Sequence, residues 1–252
     1  MSDLPPPPPP ELTGGFPQPA GLPTSETPRL QRIRGVAKIL TVVMGVMVPL
    51  QVLAAVDSWR LAGSARDLLD GTISVDDFDA ASGRSLGALS GLLVMPAAVL
   101  TVVWMYRMAQ NLRTLGRTGA TWAPGWALGG WFAPPCVLYV VPWLMLGELW
   151  RGSDPAVPAH TPDWKRGPLP WFLHAWWVLY GLVPVVGIVN TVDTLRRIGS
   201  EGEVDSITFA EQLDRYAPLN LALAVVSVAA AACFFVLVRR LSERHMAATR
   251  EP

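Results

Sequence analysis

Arg107, Asn111 and Arg113 stand just before an uncharged stretch, residues 125–147, and Glu148, Arg151 and Asp154 stand just after it. Cations, an amide and acids bracketing one apolar segment suit two tasks. They could bind an anionic lipid headgroup or the charged tail of a partner protein, or they could cap helices and tie the segment to the membrane surface. His174, beside Trp176 and Trp177 in another apolar run, is the one further candidate. An imidazole within a membrane is a functional residue by default, but only a few residues separate it from a loop, where hydrogen-bonded packing is the plainer role. His160, His174 and His245 lack metal-ligand spacing, and there is no closely spaced cysteine pair, Gly-rich phosphate loop or paired intramembrane carboxylate. The expectation is therefore no metal, no cofactor and no catalytic centre.

The elements that must position these residues are set by composition. Of 252 residues, 51% are hydrophobic and 16% charged, against about 25% charged in a soluble domain. The apolar residues cluster into four runs, about 36–57, 86–107, 170–191 and 217–239, each near the ~20 residues a bilayer core requires. Net charge is zero, so no global field points to nucleic acid. Basic residues instead gather on one set of connections: Arg29, Arg32, Arg34 and Lys38 before the first run, Arg107, Arg113 and Arg117 after the second, and Arg239, Arg240, Arg244 and Arg250 after the last. By the positive-inside rule these connections and both termini are cytoplasmic, and the acid-rich stretches Asp57–Arg84 and Asp193–Arg215 are outside loops in the plasma membrane. Cys136 and Cys233 both lie in apolar segments, so no disulfide framework is implied.

The chain writes one membrane hairpin twice. Pro49 recurs at Pro184, Asp57 at Asp193, Ser74 at Thr208 and Arg107 at Arg240, at offsets of 135, 136, 134 and 133 residues. In each copy an acid and a base three residues apart (Asp57 and Arg60, Asp193 and Arg196) mark where the first run ends, a spacing that suits a weak interfacial ion pair. Ser74-Val75-Asp76-Asp77 and Thr208-Phe209-Ala210-Glu211 both fit a capping box, the second better than the first, and predict a short outer helix leading into the second run of each copy. Gln51 and Asn190 are read as interhelical hydrogen-bonding residues.

Between the copies, residues 125–147 are long enough to span but contain Gly129, Gly130, Pro134, Pro135 and Pro142, which predicts a helix broken at least twice. If the segment crosses, the second hairpin is inverted. The bases Arg151, Lys165 and Arg166 before the third run, and Arg239 and Arg240 after the fourth, favour a re-entrant or interfacial segment with both ends in the cytoplasm. The fold class expected is all-α: a polytopic membrane protein of two same-orientation helical hairpins, four transmembrane helices in all, flanking a proline-broken segment and related by a pseudo-two-fold axis along the membrane normal.

Trp104-Met105-Tyr106-Arg107, then Asn111-Leu112-Arg113-Thr114-Leu115-Gly116, Trp131-Phe132-Ala133-Pro134, Pro142, and Glu148-Leu149-Trp150-Arg151-Gly152-Ser153-Asp154-Pro155 together resemble the bacterial membrane family filed as domain of unknown function 4328. The resemblance is densest from Trp104 to Pro155 and looser over the whole membrane region. This chain departs from the pattern at Pro135-Cys136, where a more polar stretch with asparagine belongs. The resemblance implies an architecture and no activity. A bacterial source with a GC-rich genome is also suggested by 18 Arg against 2 Lys.

Residues 1–28 hold ten prolines, including the run Pro5 to Pro10, and too few apolar residues to bury, so they form an extended cytoplasmic tail. That tail is either a solvated spacer or a polyproline ligand for a cytosolic protein. The membrane domain covers 29–245, and 246–252 is a second cytoplasmic tail. The eleven tryptophans form an interfacial belt or, less simply, a platform for a lipid or isoprenoid. The function expected is a non-enzymatic scaffold or assembly component, embedded in the bilayer and open to self-association. A small-solute or ion transporter is the alternative, because duplicated hairpins around a broken helix resemble transporter construction.

Overall fold

A computed structural model describes residues 29–84, 87–132, 135–183 and 205–251. Among these residues the structure is entirely helix and loop. In chain order the elements are α1 (Arg34–Leu69), α2 (Val75–Ser82), α3 (Gly87–Thr114), α4 (Trp126–Phe132), α5 (Pro135–Gly152), a 3₁₀ turn (Pro162–Arg166), α6 (Trp171–Val183) and α7 (Ser206–Thr249). Three of them, α1, α3 from Gly91, and α7, are long and apolar enough to cross a membrane. α6 is a shorter apolar helix as far as Val183. The remainder of the expected third span, and with it Asn190 and the Asp193/Arg196 pair, lies outside the described residues.

The first hairpin is longer than its apolar run. α1 does not end at Asp57, as a loop from 57 to 84 requires, but continues to Leu69, because Ser58 to Leu69 contains no proline and is rich in Ala, Leu and Arg. Gly71, at φ +74°, ends it by adopting the left-handed conformation that side chains avoid. Ser74 then caps α2 as the sequence predicts: its Oγ accepts from the Asp77 N–H at 3.2 Å, and the Asp77 carboxylate accepts from the Ser74 N–H at 3.4 Å. The second copy departs from prediction. The N-cap of α7 is Asp205, whose carboxylate accepts from the Thr208 N–H at 2.7 Å, so Thr208 sits inside the helix instead of capping it. That bond also holds the Asp205 carboxyl below its ordinary pKa. The expected short outer helix is thereby fused into one 44-residue α7.

α1 runs antiparallel to both α3 and α7. At one end, Arg107 donates to the Arg32 carbonyl at 2.9 Å, and Glu251 accepts from the N–H groups of Ile33 and Arg34 at 3.0 and 3.1 Å. At the other, Arg66 pairs with Asp214, and Ser206 donates to Asp79 at 2.7 Å. The main core runs between these ends through Leu40, Met44, Trp104, Met108, Leu237 and Leu241, all buried. Gln51 contributes less than expected. Its Oε1 is buried without a hydrogen-bond partner among the described residues, so no interhelical bond through it is seen there.

Residues 125–147 double back. Residues 133–134 lie outside the described chain, and α5 continues through Pro142, which costs one backbone bond without breaking the helix. A Cβ on Gly130 would lie 2.9 Å from Val141, so α4 packs back on α5, where a straight helix would hold these residues about 16 Å apart.

A second small core at the far end packs Phe78 of α2, fully buried, against Ala65 and Ala210, with its ring 6.0 Å from Phe209. Phe78→Ala should cost about 3 kcal/mol. Hydrogen exchange should then show protection lost across α2 and the start of α7, with the centres of α1 and α3 unchanged.

Candidate functional site

The end of the bundle where both termini of the described chain meet is polar, and its charged residues mostly bind their own chain. Glu148, at the C-terminal part of α5, is buried with 8% exposure. One carboxylate oxygen accepts from the Thr121 N–H at 2.6 Å and the other from the Trp122 N–H at 3.0 Å, while the Lys165 ammonium lies 3.1 Å away. A buried carboxylate is tolerated only with such a partner set. The consequence is geometric: the chain just before α4 and the chain ending α5 are fastened together, so segment 125–147 leaves and returns at one end of the molecule.

Arg117 organises the loop beyond α5. Its guanidinium donates to the carbonyls of Gly152 (3.0 Å), Pro158 (2.7 Å), Asp154 (3.1 Å) and Val157 (2.9 Å). Burial lowers its pKa, and the nearby Asp154 carboxylate opposes that shift. At Gly152 the end of α5 lies close against α3, where a Cβ would fall 2.6 Å from Leu112 Cδ2. Asp154 in turn accepts from the Ala156 N–H at 2.9 Å and pairs with Arg244 of α7, whose guanidinium also donates to the Trp150 carbonyl at 3.2 Å and lies over the Trp150 ring. Arg151 donates to the Gly167 carbonyl at 2.7 Å.

The third feature is a chain of buried polar groups. Asn111 of α3 bonds both backbone groups of Gln31, accepting from its N–H at 2.6 Å and donating to its carbonyl at 2.8 Å. Its amide nitrogen also lies 3.0 Å from His245 Nε2, and His245 Nδ1 lies 2.7 Å from Ser153 Oγ. Asn111, Ser153 and His245 are fully buried. His245 follows Arg239 and Arg240, beyond the apolar part of α7, and burial lowers its pKa to about 4. One turn earlier, Trp104 donates to Ser242 at 3.0 Å.

The structure thus gathers Arg107, Asn111, Glu148, Arg151 and Asp154 of the expected site at one end, but commits them to internal bonds. Arg113 is at the same end and exposed. His174 does not join them: it is exposed on α6 with its ring 5.8 Å from Trp143. Several tryptophans form a packed cluster between α5 and α6, with Trp177 stacked on both Tyr139 and Trp143 at 5.0 and 4.7 Å. Gln31, Arg117, Ser153, Ser242, Arg244 and His245 carry much of the polar end, yet none is among the expected site residues: Arg117 and Arg244 figure in the sequence only as bases of the cytoplasmic connections, and Ser153 only within the family motif.

An all-α protein with membrane-length helices and a self-fastened polar end is the class that fold and site define. Residues 68–243 match the family described as a domain of unknown function (DUF4328), well over half the chain, and the chain belongs to that family. No curated protein and no solved structure matches it.

Two measurements check this account. Glu148→Ala leaves two amides and an ammonium without their acceptor, and should lower stability in detergent by on the order of 3 kcal/mol, seen as an earlier unfolding midpoint. For His245 the folded pKa lies below the unfolded one. Below about pH 6.5 the unfolded chain therefore takes up a proton that the folded chain refuses, and stability falls as pH drops. The loss between pH 6.5 and about 4 should approach about 3 kcal/mol, and His245→Gln should flatten thermal midpoints over that range.

Proposed function

We propose that this chain is a non-catalytic, multi-pass protein of the cell membrane, an assembly or scaffold component that crosses four times and keeps both termini in the cytoplasm. The observation that carries the reading is the asymmetry between the two ends. Arg29, Arg32, Arg34, Lys38, Arg113, Arg166, Arg239 and Arg240, eight bases, are exposed at the polar end, while the α1–α2 end exposes four, Arg60, Arg66, Arg84 and Arg215, among Asp67, Asp70, Asp76, Asp77 and Asp79. Bases of that density mark the cytoplasmic face. Residues 125–147, fastened at both ends to that face, then dip into the membrane and return.

In this reading the tail 1–28 engages a cytosolic protein, and the exposed apolar faces of α1 (Ile39, Val42, Val46) and α3 (Leu92, Met95, Val99) meet lipid or a second copy. Transport is the second reading. Against it, no charged side chain is buried in the apolar middles of α1, α3 or α7 among the described residues, and a pathway for ions or polar solutes needs such groups.

Single cysteines at Asp76 and Arg250, in a chain lacking Cys136 and Cys233, test the orientation. An impermeant reagent added to intact cells should modify position 76 and spare position 250, and the reverse result would invert the topology. Proteoliposomes should show no solute flux, and immobilised tail 1–28 should retain a cytosolic protein. Flux that disappears on changing Glu148 or Arg107 would instead favour the transporter.

A further inference from the structure

The hydrogen bonds at Asn111 determine where the proton on His245 sits. Because the Gln31 N–H must meet an oxygen and the Gln31 carbonyl must meet an N–H, the Asn111 amide has one orientation, with Oδ1 at 2.6 Å from the first and Nδ2 at 2.8 Å from the second. Nδ2 therefore presents its other hydrogen to His245 Nε2 at 3.0 Å, and Nε2 accepts. The single proton of the neutral ring is on Nδ1, which donates to Ser153 Oγ at 2.7 Å. A second proton, on Nε2, would set N–H against N–H in a site without solvent. The amide cannot turn to present oxygen instead without breaking both bonds to Gln31.

We infer that His245 is the pin of a releasable latch: a proton on its Nε2 expels the Asn111 amide and frees the strap at residues 29–33, which carries the proline-rich tail, while the helical bundle stays folded. The strap is the weak partner. It meets the bundle through backbone bonds to Asn111, Arg107 and Glu251 and through the one buried side chain of Ile33, with Leu30 and Gln31 exposed, whereas α3 and α7 remain joined through Trp104, Ser242 and the core beneath. Releasing it would change how far the tail can reach from the membrane surface.

The charged groups around the imidazole have other partners. Arg107 from α3 donates to the Arg32 carbonyl, Glu148 and Arg151 from α5 hold the 121–122 and 167 backbones, and Asp154 pairs with Arg244 of α7. Arg32 and Arg34, on the strap and at the start of α1, are exposed. Glu251 is the other acid facing this corner, and accepts from the N–H groups of Ile33 on the strap and Arg34 at the start of α1. Burial keeps the imidazole neutral until about pH 4, so the latch is shut at neutral pH and opens in acid.

A nitroxide on Leu30→Cys, in the full chain with Cys136 and Cys233 replaced by Ala and held in nanodiscs, reads the strap directly. The label should be immobilised at pH 7 and become predominantly mobile as pH falls towards 4, with helical circular dichroism unchanged. His245→Gln keeps an acceptor and a donor but cannot be protonated, so the mobile fraction at the wild-type midpoint should drop several-fold. Asn111→Leu should leave the label mobile at every pH, and Glu251→Gln should keep a pH step. A His245→Gln chain whose label is released at the wild-type midpoint, or an Asn111→Leu chain as immobile as wild type, would overturn the latch. So would a step lost in Glu251→Gln and kept in His245→Gln. Should the Gln variant not fold, the Asn111 and Glu251 variants still decide.

Discussion

One buried carboxylate fastens the two ends of the central segment of this protein together. Glu148 could not sit at 8% exposure without acceptor demand from its surroundings, and the groups that satisfy it come from the other end of the central segment, the amides of Thr121 and Trp122, with Lys165 as counter-charge. Fastening 121–122 to 148 forces everything between them to leave and come back. A crossing segment would place those residues a bilayer apart. Arg117 applies the identical physics with the sign reversed, gathering four carbonyls that the loop after α5 would otherwise leave bare.

What can be read from the sequence is what depends on neighbours along the chain. Apolar length is a local property, so membrane-length helices at α1, α3 and α7 are legible, and so is the Ser74 cap, whose two partners are three residues apart. The proline-based expectation of a break at Pro142 fails, because α5 runs through that residue, while Pro134 lies outside the described residues. The errors have local causes as well. Acids and bases after Asp57 suggest a loop, yet the helix runs on to Leu69, because polarity decides exposure and not helicity. Thr208 and Asp205 are both acceptable caps, and the one that begins the helix earlier prevails, since each added turn of α7 gains backbone bonds and packs Ala210 on Phe78.

The remaining site is illegible for a different reason. Asn111 meets Gln31 across 80 residues and His245 across 134, and Ser153 reaches His245 across 92. Nothing about these four residue types sets them apart from other polar residues until three elements are packed. Their burial is a product of the fold, and their hydrogen bonds are complete only because every member has a partner. Candidate residues chosen for charge, such as Arg107 and Asp154, land at the right end but in supporting positions. Of the groups at the centre only the Asn111 amide is singled out in the sequence, by its place one turn after Arg107, while the Ser153 hydroxyl and the His245 imidazole carry no formal charge and no local mark of a shared site.

The span matched by the family, 68–243, excludes nearly all of α1 and stops two residues short of His245. Packing does not respect that limit. Ile33 of the strap and Leu40, Met44 and Met47 of α1 are buried in the main core, alongside Trp104, Met108, Leu237 and Leu241 from within the matched range. Without α1 those side chains would face solvent or lipid, and without the strap the Asn111 amide would lose two of its three bonds. The cooperative unit is therefore larger than the matched span. Asn111 and Ser153 lie inside that span while Gln31 and His245 lie outside it, so the buried relay joins matched and unmatched parts of the chain. A 68–243 fragment would lack half of the relay and one of the three membrane-length helices, and is expected to expose the α3 and α7 faces that α1 now covers.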